Sequence, residues 1–194
     1  MAPTLTQLQA WLAQPNIMRA LDLIAWAEGT NNRYDILFGN GSFNVNGPHP
    51  NRVVAGRSTA AGRYQFLYRT WQPIARQYGF SDMRPAYQDL AAVYLINYRG
   101  AINDLLAGNL ANALPKISWE WASLPPSRYG QGRLTTAQVL AKWNSLGGPA
   151  QNLLSTTGST AGNAFDQLAQ QLGLTASGLS LVFALGFILY TSDY

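Results

Sequence analysis

Leu21-Asp22-Leu23-Ile24-Ala25-Trp26-Ala27-Glu28-Gly29-Thr30 is an apolar helical run that stops on an acid followed by a glycine. From Ile17 onward the apolar positions recur at helical spacing, which predicts a helix over 17–28 with one face in a core. Gly29 supplies the stop, because glycine enters the left-handed cap conformation without a Cβ clash. Glu28 is one of only two glutamates in the chain. Beside Trp26 and the apolar side chains of its helix, its carboxyl group would be poorly solvated, a setting that disfavours the ionised form and suits a catalytic acid. An ordinary last-turn glutamate facing water fits the local sequence equally well.

The chain has 194 residues, of which 11% are charged and 12% aromatic. That length buries one substantial core and leaves material for an appendage. Rings in that number need a core or a ligand groove, so disorder is excluded as the general state. All thirteen Lys and Arg lie between Arg19 and Lys142; of the nine acids, Asp166 and Asp193 fall later, which leaves seven to oppose them. The first part is therefore cationic and suited to an anionic polymer or surface. Its arginines are scattered singly without a nucleic-acid-binding motif, so no nucleic acid partner is expected. Cysteine is absent and His49 is the only histidine, which removes disulfides, thiolate or multi-histidine metal sites and a cysteine nucleophile. Neither a metal nor a cofactor is expected. His49, in the rigid Gly47-Pro48-His49-Pro50 loop, reads as structural or as a substrate contact before it reads as a base.

Residues 1–15 are amphipathic and lack the charged start and continuous apolar stretch of a secretory signal. Between Arg33 and Arg57, glycines interleave with Tyr34, Ile36, Phe38, Phe43, Val45, Val53 and Val54, which predicts short strands and turns. Helices are predicted up to Tyr78 with a stop at Gly79, from Pro85 to Gly100 with Leu90, Val93, Tyr94, Leu95 and Tyr98 inward, over 101–107 and 109–121, and over 135–146. Pro73 falls inside the first of these, where it is expected to kink the helix. Residues 1–148 form the expected domain, 149–171 a linker with a short helix, and 172–191 a hydrophobic helix about long enough to cross a bilayer. That last segment reads as an anchor to a membrane or to virion components, with a packing helix as the alternative.

Several segments in order resemble one family, the phage lambda lysozyme-like lytic transglycosylases. They are Ala25-Trp26-Ala27-Glu28-Gly29-Thr30, Tyr34-Asp35 with Phe38-Gly39, His49-Pro50, Ser58-Thr59-Ala60-Ala61-Gly62-Arg63-Tyr64-Gln65, Gln88-Asp89, and Trp121-Ala122-Ser123-Leu124-Pro125 followed by Tyr129-Gly130-Gln131. The resemblance implies an α+β, lysozyme-like fold, mainly helical with a small β lobe and a glycan cleft, here with a C-terminal hydrophobic helix added. It implies a peptidoglycan lytic transglycosylase in which Glu28 protonates the oxygen between N-acetylmuramic acid and N-acetylglucosamine. As carboxylate, Glu28 would then accept the proton of the sugar's own C6 hydroxyl, closing a 1,6-anhydro ring without consuming water. The same resemblance makes Ser58, Tyr64, Gln65, Gln88, Ser123 and Tyr129 candidates for lining the cleft, although Tyr64 and Trp121 suit a core and Ser58 a helix cap. Peptidoglycan in the host periplasm is the expected partner, approached from a virion or a membrane. Two alternatives stand beside this reading: a hydrolase of the same bond with Asp35 directing water, and a non-catalytic wall-binding or virion protein.

Overall fold

The computed structural model describes residues 2–126 and 134–150. In the N-terminal segment, α1 (Leu5–Leu12) opens with a capping box, Thr4 and Gln7 each accepting from the other's backbone N–H. That exchange satisfies two donors that a helix start otherwise leaves open. Pro15 begins α2 (Pro15–Ala27), where its missing N–H costs nothing. Ile17, Ala20, Leu21, Leu23, Ile24 and Ala25 bury the face that the sequence spacing marks as apolar. The helix ends with Glu28 as its cap residue and Gly29 at φ +69°.

Four more helices follow the expected order. α3 spans Tyr68–Tyr78 and stops at Gly79 in the left-handed conformation, with Pro73 in its interior. α4 (Pro85–Tyr98) begins on its proline and is buried at Gln88, Leu90, Ala91, Ala92, Val93, Leu95 and Ile96, so it runs through the middle of the core. Its expected inward residues divide. Leu90, Val93 and Leu95 are buried, whereas Tyr94 is half-buried and Tyr98 is 64% exposed. The Tyr98 ring lies along the surface instead, stacked on Tyr94 at 6.1 Å with the Arg99 guanidinium 5.3 Å from its centre. α5 (Ile102–Leu106) and α6 (Leu110–Ile117) are short, and α6 ends at Ile117 rather than near 121.

The closing helix α7 (Thr136–Ser145) has Thr135 as its cap, again with a capping box, here to Gln138. The chain then turns back on the body. Arg19 donates to the Leu146 carbonyl at 3.2 Å, and the Trp143 indole donates to that of Pro149 at 3.1 Å. Packing thus carries the helical body at least to Pro149. The hydrophobic segment 172–191 and nearly all of the expected linker lie outside the described residues. Among the described residues, no helix is long and apolar enough to cross a membrane.

The segment between α2 and α3 corrects the expectation of short strands. Among the described residues it forms only isolated antiparallel bridges, Ile36 with Ser42, Leu37 with Ala61, Val54 with Ser58 and Ala61 with Phe66. A strand needs a run of extended residues, and left-handed positions break every run here: Asn31, Asn32, Asn40, Asn51, Ala55 and Gln65 all have positive φ. Side chains hold the segment together in place of a ladder. Gln88 of α4 is fully buried beneath it, donating to the Tyr34 carbonyl at 3.0 Å and to that of Met83, and accepting from the Arg63 N–H at 2.9 Å.

Gly62 makes that arrangement possible. Its φ is +81°, and a Cβ there would stand 2.1 Å from the Gln88 side-chain oxygen, which is held too firmly to withdraw. Gly62→Ala is therefore expected to lower stability by about 2–4 kcal/mol from overpacking plus backbone strain. Gly79→Ala, with the same sign of φ and nothing within 4 Å of the added Cβ, should cost only about 1 kcal/mol. Denaturant unfolding of the two variants beside the parent measures the difference; equal losses would show that Gln88 is not the obstacle.

Candidate active site

Glu28 sits where α2 stops, and three backbone contacts fix its position. Its own N–H donates to the Ile24 carbonyl at 2.9 Å, that of Gly29 to Trp26 at 3.0 Å and that of Thr30 to Ala25 at 3.2 Å. Thr30 is 1% exposed, and its hydroxyl lies 3.1 Å from the Ala25 carbonyl and 2.9 Å from that of Arg63. A single buried hydroxyl thus pins the helix end to the lobe that follows it. Glu28 itself is half-buried. From the opposite side, the Ser123 hydroxyl donates to its Oε1 at 2.5 Å.

Burial pushes the Glu28 pKa above the usual carboxylate range, and the Ser123 hydrogen bond only partly offsets it by favouring the ionised form. What sets Glu28 apart is the absence of a counter-charge. Asp22 and Asp89 meet Arg63, Asp35 meets Arg33, Asp82 meets Arg84, Asp104 meets Lys116 and Glu120 meets Arg99. Glu28 alone among the described carboxylates has no cationic partner. A neighbouring cation would favour its ionised form; without one, only the Ser123 hydrogen bond opposes the upward push of burial.

The structure disperses the other residues suggested by the sequence. Ser123 joins Glu28 directly. Gln65, at φ +50°, folds its amide back to the Gly62 carbonyl at 2.9 Å and lines a cavity of about 760 Å³. That cavity also meets Trp121 and Ala122, the residues just before Ser123, while Glu28 is not in its wall. Ser58 is bridged to Val54 and accepts from the Ala60 N–H at 3.1 Å, on the wall of a smaller cavity beside Tyr68 and Arg69; α3 begins ten residues later, so it caps no helix. Tyr64 is 1% exposed, with its hydroxyl 2.5 Å from Asp89 and 2.6 Å from Arg63, so its ring offers no face to a sugar. Gln88 is likewise spent on backbone groups beneath the lobe. Tyr129 lies outside the described residues.

Asp35 accepts from Arg33 through both oxygens at 3.1 Å in an exposed pair, and that hydrogen bond holds its pKa below the ordinary value. His49 is buried. Its Nδ1 accepts from the Asn51 N–H at 3.1 Å, which assigns the proton to Nε2 and makes it the donor to the Phe66 carbonyl at 2.9 Å. Burial lowers its pKa. Both ring nitrogens are thus committed to backbone, the structural role.

Sequence reasoning did not anticipate the hub around Arg63. Its guanidinium contacts Asp22 of α2, the Asn32 side chain at 3.0 Å, the Tyr34 and Tyr64 hydroxyls and, at 3.5 Å, Asp89 of α4. Tyr34 donates to the same Asp89 at 3.0 Å, and burial followed by that charge pushes the Tyr34 hydroxyl up to about 12. Burial raises Asp89 too, against the hydrogen bonds from both tyrosines. The available signal is the presence of Gly62-Arg63-Tyr64 and Gln88-Asp89, complementary groups whose pairing across 25 residues needs the fold to be seen.

A sequence model of the family described as Endolysin matches residues 19–150. The chain belongs to the endolysin family. The endolysin of Escherichia phage lambda is 35% identical over 145 residues, 69% of this chain and 92% of that protein. The endolysin of Escherichia phage P2 is 34% identical over 156 residues, covering 69% and 93%. Among solved structures, bacteriophage lambda lysozyme complexed with a chitohexasaccharide superposes with a TM-score of 0.65 at 33% identity, covering 70% of this chain and 96% of that one. A second structure, lysozyme from bacteriophage lambda, gives 0.63 at 31%, with the same coverage. The resemblance stated from the motifs is thereby shown, and so is the lambda lysozyme fold, mainly helical with little strand.

Ser123 gives this endolysin site a measurable signature. Ser123→Ala removes the donor that favours ionised Glu28, so the Glu28 pKa rises further; with Glu28 as the acid, the alkaline limb of the pH–rate profile moves to higher pH. The lost charge-assisted contact is expected to lower the neutral-pH rate about tenfold. A profile lowered uniformly with an unmoved limb would show that Ser123 does not set the protonation of Glu28.

Proposed function

We propose that this endolysin is a peptidoglycan lytic transglycosylase that uses Glu28 as its acid and then its base. The coarser statement, a phage endolysin with the lysozyme fold and hence a peptidoglycan-cleaving enzyme, follows from the family. The chemistry is inferred from one observation, the uncompensated half-buried Glu28 in a chain whose other described carboxylates are all tied to cations.

A hydrolase that activates water needs a second carboxylate free to take a proton or to face the sugar ring. Asp35, the nearest acid in sequence, has both oxygens on Arg33. Transglycosylation needs one group only. Protonated Glu28 gives its proton to the glycosidic oxygen as the bond to muramic acid C1 breaks, and N-acetylglucosamine leaves with a 4-hydroxyl. The positive charge building at C1 is met by the same sugar's C6 hydroxyl, which forms the new C–O bond and returns its proton to the Glu28 carboxylate. The acid is regenerated and no water is consumed. An intramolecular nucleophile is already in place, which lowers the entropic part of the barrier. Ser123 would stabilise the carboxylate through the middle of the cycle.

Ser58, Gln65 and Tyr129 remain candidates to touch the glycan, and Tyr64 and Gln88 support the wall from behind. The proposed catalytic domain ends near 148–150, and 149–171 is the proposed linker. The hydrophobic stretch 172–191 is the proposed attachment to a membrane or virion, with peptidoglycan in the host periplasm as the substrate; apolar composition and length support it.

Digestion of purified peptidoglycan by the full chain in ¹⁸O-labelled water, followed by mass spectrometry, tests the chemistry. Unlabelled 1,6-anhydromuramyl ends are expected, with their yield reduced about a hundredfold or more in Glu28→Gln. Labelled reducing ends would overturn the transglycosylase reading in favour of hydrolysis.

A further inference from the structure

Most of the 760 Å³ cavity is built from residues that the cleavage chemistry does not use, Gln65 being the one candidate glycan contact on its wall. Its walls are the first two turns of α3, the last turns of α4, the segment 119–122 that leads to Ser123, and residues 64–67 of the lobe. The Trp121 indole, donating to the Tyr64 carbonyl at 3.1 Å, ties the third wall to the lobe, so the cavity lies beside the strand of chain that holds Glu28. Its floor is apolar, with Pro73 and Ile74 from α3 and Leu95 from α4. At the rim, Arg99 is already occupied: Glu120 accepts from it at 2.6 Å, and the Tyr98 and Trp119 rings lie 5.3 and 6.0 Å from its guanidinium.

Arg69 differs. It is exposed and lines both this cavity and the smaller one that Arg57 and Ser58 share. Neither the Arg69 nor the Arg57 guanidinium has an ion-pair or hydrogen-bond partner among the described residues. Four residues on, Pro73 has no N–H, so the Arg69 carbonyl lacks its usual helical donor. The wall therefore presents an unpaired cation beside apolar side chains. A neutral sugar can accept hydrogen bonds from the guanidinium but leaves its charge uncompensated. A short peptide with free carboxylates uses both features: carboxylate on guanidinium and aliphatic side chains on the apolar part.

We propose that this cavity binds the peptide stem carried by the muramic acid residues of the substrate, with Arg69 receiving a stem carboxylate. The proposal rests on peptidoglycan being the substrate. A stem leaves its sugar close to the bond assigned to Glu28, and Ala122 on the cavity wall is the residue before the serine that meets Glu28. Arg57, on the adjoining rim, adds to the positive field without lining the cavity itself.

Equilibrium binding to full-length Glu28→Gln, which leaves the fragments uncut, tests this. The probes are soluble glycan fragments of equal length purified from peptidoglycan, with stems intact or removed by an amidase. Stem-bearing fragments are expected to bind tighter by about fivefold, the scale of one partly exposed charge-assisted contact, and to lose that advantage as salt rises. Adding Arg69→Ala should bring the ratio of the two affinities close to one, Arg69→Lys should restore part of it, and Arg76→Ala, an exposed α3 arginine outside the cavity wall, should keep it. A ratio of one without Arg69→Ala, equal weakening of both fragments by Arg69→Ala, or binding of neither fragment would overturn the proposal. Equal weakening would make Arg69 a glycan contact. Because no bond is cut, the ratio stands whichever product ends the labelled-water experiment finds.

Discussion

The buried guanidinium of Arg63 is the constraint on which the rest of this site depends. It joins the first long helix, the irregular lobe and the central helix through a single side chain, by way of Asp22, Asn32 and Asp89. A lobe without strands has few backbone ladders to hold its shape, so side-chain contacts carry that load. Desolvating such a cation is expensive, and the ion pairs offset it; what they add is uniqueness, because only this arrangement of Asp22, Asn32 and Asp89 surrounds the guanidinium with acceptors. The backbone of Arg63 extends the same constraint, with its carbonyl meeting Thr30 and its N–H meeting Gln88. Thr30 is two residues from Glu28. The acid is therefore positioned by a chain of contacts reaching the central helix without any of them touching its carboxyl group.

That indirectness has an electrostatic purpose. A carboxylate fixed by a salt bridge is well placed and permanently ionised, which makes it useless as a donor near neutral pH. Every other described carboxylate meets a cation, and Asp82 shows the extreme, with Arg84 holding its pKa far below the ordinary range. Glu28 is held through its backbone instead. Only the neutral Ser123 hydroxyl meets its oxygens, so burial is left to set the proton affinity and one hydrogen bond to temper it.

Much of the helical frame was legible before the fold was seen, because its signals are local. Pro85 starting α4, Gly79 ending α3 and Gly29 ending α2 act through the backbone of their own residues, and they hold wherever the helix packs. Lobe and site were less legible because their signals are not local. Phe38, Val53 and Val54 have the side chains of strand residues, but the left-handed asparagines between them decide the backbone. Tyr64 and Gln88 have the chemistry of sugar-binding residues; burial assigns them to Asp89 and to backbone amides, and burial depends on what a distant segment places on top of them. Tyr98 errs in the other direction, inward by period and exposed in fact, its ring lying against Tyr94 and Arg99 while Leu95 and Ile96 of the same turn fill the core.

Ser123 shows how a site residue can be found for one reason and matter for another. It belongs with a sugar-binding set by resemblance, and a hydroxyl facing the cleft would serve an N-acetyl group well. The fold brings it instead to the oxygen of the acid, across 95 residues of chain, on the segment whose preceding tryptophan is bonded to the lobe. Two segments that each touch the Arg63–Tyr64 backbone, one through Thr30 and one through Trp121, thus deliver Glu28 and Ser123 to the same point. The spacing between donor and acid is a property of that shared backbone, so a change in the lobe that shifts residues 63 and 64 moves both groups together and preserves their contact. The contact between Glu28 and Ser123 is in this way insulated from the lobe's irregularity.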